Sequence, residues 1–91
     1  MVRILMYGEL EELSGTREVG VAGERVLDVL ISLSSLYGEV FRELLLGGMG
    51  VTRVAILVNG APVRHNVFEV PLRDGDVLSL MPLGDWDDAS F

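Results

Sequence analysis

Hydrophobic residues along this chain switch between two rhythms, and the switches mark its elements. Residues 2–7 alternate with a period of two, Ile4 and Met6 on one side and Leu5 and Tyr7 on the other, which predicts an opening strand that stops at Gly8. Residues 9–14 fit a short helical turn before Gly15. Residues 16–21 then set Arg17, Val19 and Val21 against Glu18 and Gly20, a second strand expected to hairpin back on the first. From residue 26 to residue 37 the period lengthens. Val26, Val29, Leu30, Leu33 and Leu36 or Tyr37 recur at helical spacing, so the main helix lies here and Gly38 stops it. Glu24 and Asp28 stand near its start, where negative charge meets the positive end of the helix dipole. Residues 39–46 suit a second short helix closed by Gly47, Gly48 and Gly50.

The second half returns to strands. Residues 53–58 are dense in β-branched and aliphatic side chains and end in Asn59-Gly60, a turn signal. A short edge-like segment is expected at residues 67–70, with Pro71 suited to an edge because it donates no ladder hydrogen bond. Asp74-Gly75 is a further turn, and residues 76–81 are the last strand. A hairpin, a helix across one face and further strands completing a mixed sheet make an α+β, two-layer plan.

At 91 residues the chain is one domain, near the lower limit for a single hydrophobic core. The division expected is a folded unit at residues 1–82 and an acidic extension at residues 83–91, where Trp86 stands among Asp85, Asp87 and Asp88. No apolar run approaches the roughly 20 residues that cross a bilayer, and Arg3 leads into strand-like alternation rather than a signal-peptide core, so a cytoplasmic location is expected. There is no Cys, which excludes disulfides, thiolate nucleophiles and Cys-ligated metals. All seven bases are Arg, so a lysine Schiff base or a phosphate-loop lysine is excluded too. The net charge of −7 argues against nucleic acid and anionic membranes as partners and favours a basic protein surface.

Candidate chemistry is sparse. His65 is the one histidine, beside Arg64 in a turn-rich stretch, with no second imidazole to share a zinc ion. Asp85, Asp87 and Asp88 lack the glycine and distal glutamate of a calcium loop. Glu9, Glu11 and Glu12, like Asp74 and Asp76, fall in exposed turns and read as surface acids, and Arg42 and Arg73 are expected to bridge to neighbouring acids. No catalytic, cofactor or metal site is expected, and the chain does not read as an enzyme.

The stretches "VRILMYGELEELSG", "VAILVNGAPV" and "PLRDGDVLSLMP", spaced around a central amphipathic helix, resemble the small sulfur carriers of ubiquitin-like β-grasp fold. That family includes the small subunit of molybdopterin synthase and the thiamine-biosynthesis sulfur carrier. The resemblance covers residues 2 to 82 and implies a mixed sheet of four or five strands with one main helix across one face. It also implies a protein that catalyses nothing. In the family a tail leaves the last strand through a proline and ends in Gly-Gly; an activating enzyme adenylates the terminal carboxylate, and sulfur transfer makes a thiocarboxylate. Here Met81-Pro82 matches the tail exit, but Leu83, Gly84 and Asp85 follow, and the last residue is Phe91. Proteolysis after Gly84 would leave a tail ending Pro-Leu-Gly. Two functions are therefore open: a sulfur carrier of molybdenum- or tungsten-cofactor biosynthesis, or an interaction module that kept the fold and lost the Gly-Gly chemistry.

In a β-grasp the first, last and third strands form the middle of the sheet. Alternation then sends Ile4, Met6, Val54, Ile56, Val58, Leu78 and Leu80 towards the helix and Leu5, Tyr7, Ala55, Leu57, Val77, Ser79 and Met81 to the other face. That outer face is too apolar for open water. Burying five or six such side chains, at about 25 cal/mol per Å² of apolar surface, suffices to hold a protein partner or a second copy. Leu5, Tyr7, Leu57, Val77 and Met81 are thus the expected partner-binding residues, with Pro82, Leu83, Gly84, Trp86 and Phe91 in the tail. Either Trp86 and Phe91 fold back over Leu57 and Val77 while the aspartates stay solvated, or the terminus is a free acidic segment.

Overall fold

A computed structural model describes residues 1–46 and 54–82. Gly47 to Arg53, and the tail residues Leu83, Gly84, Trp86 and Phe91, lie outside the described residues. The elements are β1 (Val2–Met6), α1 (Glu9–Ser14), β2 (Glu18–Val21), α2 (Val26–Tyr37), α3 (Glu39–Leu46), β3 (Val54–Val58), β4 (Ala61–Pro62), a single 3-10 turn (Val67–Glu69) and β5 (Val77–Pro82). Among the described residues the strands form one mixed sheet in the order β2-β1-β5-β3-β4. β1 pairs antiparallel with β2 and parallel with β5, and β5 pairs antiparallel with β3. The first, last and third strands are therefore neighbours, as the β-grasp plan requires.

The helical layer covers one face because its apolar stripe matches the apolar side of the strands. Val26, Val29, Leu30 and Leu33 of α2 are fully buried against Ile4 and Met6 of β1 and Leu78 and Leu80 of β5, all 0% exposed. Tyr37 rather than Leu36 closes the stripe. Its ring is half-buried, 5.0 Å from that of Phe41, whereas Leu36 is exposed. The one buried polar side chain among the described residues, Ser34, donates its hydroxyl to the Leu30 carbonyl oxygen at 2.8 Å, so no unpaired polar atom enters the core. At the start of α2 the Asp28 carboxylate accepts from the backbone N–H groups of Arg25 (3.1 Å) and Glu24 (3.3 Å), which otherwise have no helical acceptor.

One expected strand is elsewhere. Residues 67–69 form the 3-10 turn, and the fifth strand is Ala61–Pro62, two residues that hairpin off β3. Asn59 (φ 51°) and Gly60 (φ 85°) both take positive φ, the requirement of a two-residue turn matched to sheet twist. Pro62 stands opposite Leu57. The Ile56 carbonyl accepts from Val63 N–H at 2.9 Å, so the polar groups of Ile56 face β4 and those of Leu57 face β5; proline's missing N–H costs nothing there. Pro71 forms an isolated bridge with Arg25 and ties the loop before β5 to the start of α2.

Candidate docking face

Each outer-face residue owes its position to the strand period. Leu5 stands opposite Ser79 on one side and Glu18 on the other; Ser79 stands opposite Leu57, and Leu57 opposite Pro62. One row thus crosses the whole sheet. On one side of it Arg3 pairs with Val77. On the other, Met81 pairs with Ala55, and the Tyr7 N–H donates to the Leu80 carbonyl at 3.2 Å, which sets Tyr7 alongside Met81. Leu5, Tyr7, Leu57, Val77 and Met81 are all half-buried, unlike their chain neighbours Ile4, Met6, Leu78 and Leu80. β5 carries this face to Pro82, the last described residue. The expected tail residues Leu83, Gly84, Trp86 and Phe91, and with them the choice between a Trp86 and Phe91 cap and a free acidic segment, lie outside the described residues.

Three ion pairs occur among the described residues. The Arg3 guanidinium grips the Glu18 carboxylate through two nitrogens, at 2.8 and 3.2 Å. That hydrogen bond holds Glu18 below the usual carboxylate range and raises Arg3. Arg17 pairs with Glu11 at 3.3 Å, and the N-terminal ammonium of Met1 with Asp74. Glu9 and Glu12, on the helix that follows β1, are exposed and form no ion pair among the described residues. Two expectations fail. Arg42 makes no salt bridge among the described residues, and Arg73 meets Asp76 through its backbone N–H, at 2.8 Å, rather than through its guanidinium.

Sequence reasoning also treated two turns as separate that the structure joins. The Asn59 side chain donates to the Asp76 carboxylate at 3.1 Å and accepts from Val77 N–H at 2.9 Å, while Asn59 N–H donates to the Val77 carbonyl at 2.7 Å. Asp76 is held below the usual aspartate range, first by the Arg73 backbone N–H and then by Asn59. The Asn-Gly turn and the Asp-Gly-Asp turn thus form one bracket that fixes the start of β5, and with it the register of Val77, Ser79 and Met81. Asp76 is a structural acid, its carboxylate accepting from Asn59 and from the Arg73 backbone N–H. The Arg3–Glu18 pair was also missed. Its signal was readable: two residues of opposite charge on the same face of two strands already expected to pair.

Clefts are also present among the described residues. One, of about 440 Å³, runs between α2 and α3 past Leu27, Ile31, Glu39 and Arg42; the other, of about 380 Å³, runs along β3 past Ala55, Pro62 and Arg64. The first cleft also takes in Ser34 and Ser35, and the Ser34 hydroxyl is already donated to the Leu30 carbonyl oxygen. His65 is exposed, and no group of three metal-ligating side chains occurs among the described residues. No helix among the described residues is long and apolar enough to cross a membrane.

A family model described as the ThiS family matches residues 4–84. No curated protein sequence matches the chain. Among solved structures, small archaeal modifier protein 1 from Methanosarcina acetivorans is 29% identical with a TM-score of 0.79, covering 89% of this chain and 90% of that one. A Pyrococcus furiosus protein provisionally identified as molybdopterin converting factor subunit 1 is 28% identical with a TM-score of 0.69, covering 89% and 94%. CysO from Mycobacterium tuberculosis, at 24% identity and a TM-score of 0.78 over 90% and 98%, is alike in fold. A match running from within the first strand to the second residue after Pro82, on a sheet of this order, makes the chain a member of the ThiS family of ubiquitin-like β-grasp sulfur carriers.

Proposed function

We propose that this protein works as a sulfur carrier of the molybdopterin-synthase small-subunit kind. It docks its outer sheet face on a larger protein while the segment after Pro82 reaches into that partner's active site. The observation that carries the reading is the largely apolar tract in which Leu5 and Leu57 stand on either side of Ser79, with Val77 and Met81 along β5, the strand that leads directly to Pro82. Such a tract on a small soluble domain is ordinarily an interaction surface. The pathway assignment draws on the likeness to the Pyrococcus furiosus converting-factor protein. Residues 1–82 are the docking unit, and residues 83–91 are an extension of which Leu83 and Gly84 form the delivered end.

The chemistry belongs to the partner. Once hydrolysis of the Gly84–Asp85 peptide bond has freed a carboxylate at Gly84, that carboxylate attacks the α-phosphorus of ATP, releasing pyrophosphate; a sulfur nucleophile then displaces AMP from the acyl carbon. The chain supplies only the acyl group and its delivery. Intact mass spectrometry tests this, after incubation with a family activating enzyme, ATP, magnesium and a sulfur donor, on the full chain and on a form ending at Gly84. The expected result is an adenylate and then a thiocarboxylate on the Gly84 form, lost in Leu57→Ser. Binding without modification of either form would replace the carrier reading with that of an inert interaction module, for which the single glycine after Pro82 speaks.

A further inference from the structure

The chain has two asparagines, and one of them, Asn59, precedes a glycine. Asn-Gly is the pair from which an amide is most readily lost, because glycine sets no side chain beside its own nitrogen. In that reaction the Gly60 nitrogen gives up its proton to water and attacks the Asn59 Cγ. A new N–Cγ bond replaces the Cγ–Nδ2 bond, ammonia leaves, and a five-membered succinimide remains. Water then opens the ring. Addition at Cγ gives aspartate, and addition at the backbone carbonyl carbon gives isoaspartate, with one more carbon in the main chain.

The folded chain holds both reacting groups out of position. Asn59 and Gly60, at φ 51° and 85°, form the mirror image of a type I turn, which places the Gly60 nitrogen across the Cα–C bond from the Asn59 Cβ. Ring closure needs the two eclipsed. The side chain is pinned as well. Its Nδ2 donates to Asp76 Oδ1 at 3.1 Å and its Oδ1 accepts from Val77 N–H at 2.9 Å, so it cannot swing back to Gly60 without breaking both bonds. We infer that Asn59-Gly60 is a deamidation site gated by its bracket with β5: shut while Asn59 holds Asp76 and Val77, reactive once the turn lets go. The product cannot rebuild the bracket. In aspartate an oxygen replaces the Nδ2 donor and faces the Asp76 carboxylate, like charge against like. Isoaspartate lengthens a two-residue turn whose register sets Ala61 opposite Val58 and Pro62 opposite Leu57. Either product loosens the start of β5, and the change marks irreversibly the chains whose turn has opened.

Peptide mapping by mass spectrometry tests this inference on the full chain, aged at mildly alkaline pH with and without denaturing urea. Asn59 is expected to convert at least about tenfold more slowly in the folded chain than in urea, because reaction waits for local opening. Asn66, followed by the β-branched Val67, is the slow reference within the same chain. Asp76→Ala removes one anchor and should raise the folded-state rate several-fold while leaving the rate in urea unchanged. Equal conversion of Asn59 in the folded and unfolded wild type, which needs no variant, overturns the inference, as does a folded-state rate in Asp76→Ala equal to that of wild type. Asn59→Asp reproduces one product directly. Its urea midpoint should fall below that of Asn66→Asp, the same charge change at a residue whose side chain caps nothing. Equal midpoints would overturn the claim that the product undoes the bracket.

Discussion

The two faces of the central strands are built from residues one step apart in the chain, yet they serve different ends. Ile4, Met6, Leu78 and Leu80 are wholly buried beneath the helices, whereas Leu5, Tyr7, Val77 and Met81 stand half-covered on the opposite side. The residue types on the two sides are similar, so hydrophobicity alone does not separate them. What separates them is the supply of a second layer. The chain provides α2 and α3 for one face, and among the described residues it provides nothing comparable for the other. In such a small domain, apolar residues in excess of the core are surface that a partner can use.

The largest effect that sharpens this contrast is expected from Leu80→Ala. Loss of a fully buried leucine should cost about 2–5 kcal/mol of unfolding free energy, read from urea denaturation. A cost no greater than that of Leu57→Ala would dissolve the distinction between the faces. Asn59→Ala comes next. It removes the acceptor for Val77 N–H, a donor to Asp76 and a residue suited to positive φ, so a loss of roughly 1–2 kcal/mol is expected by the same measurement. Leu57→Ser should shift stability by at most about 1 kcal/mol, because the half-buried side chain leaves no closed cavity. Its larger effect is expected in calorimetric titration with the partner, and a variant that binds as wild type would unseat the outer face as the interface.

The smallest effect concerns the acids. Asp76 and Glu18 titrate lower in the folded chain than in the unfolded one, so on acidification the unfolded state takes up protons first. Their contribution is present above the ordinary carboxylate range, near pH 4, and is lost as pH falls through the lowered values. Urea midpoints followed from about pH 5 to about pH 2 should decline less steeply in Asp76→Asn than in wild type. An unchanged slope would mean that the bracket between the two turns is mechanical and not electrostatic.

Much of this was legible beforehand. The span of α2 and its stop at Gly38, the middle position of the first, third and last strands, and the assignment of Ile4, Met6, Leu78 and Leu80 to the core all follow from period and from the resemblance. The fifth strand was not legible, because Ala61-Pro62 is too short to show a period and contains the residue most often read as a strand breaker. It exists because the Asn59-Gly60 turn returns the chain to β3 and because Pro62 lands at a position that needs no donor. Residues 67–70 misled for the opposite reason, since apolar residues in a row suit a strand, but here Val67, Phe68 and Val70 pack on the core beside α2 in a 3-10 turn.

The sequence by itself determined the elements, the side of each strand that joins the core and the chemistry that is excluded, because those depend on residue type and on spacing between near neighbours. Tertiary structure alone decided that two distant turns become one bracket through Asn59 and Asp76 and that Arg3 finds Glu18. These are meetings between segments far apart in the chain. Their partners are set by strand register and packing, which no local pattern records.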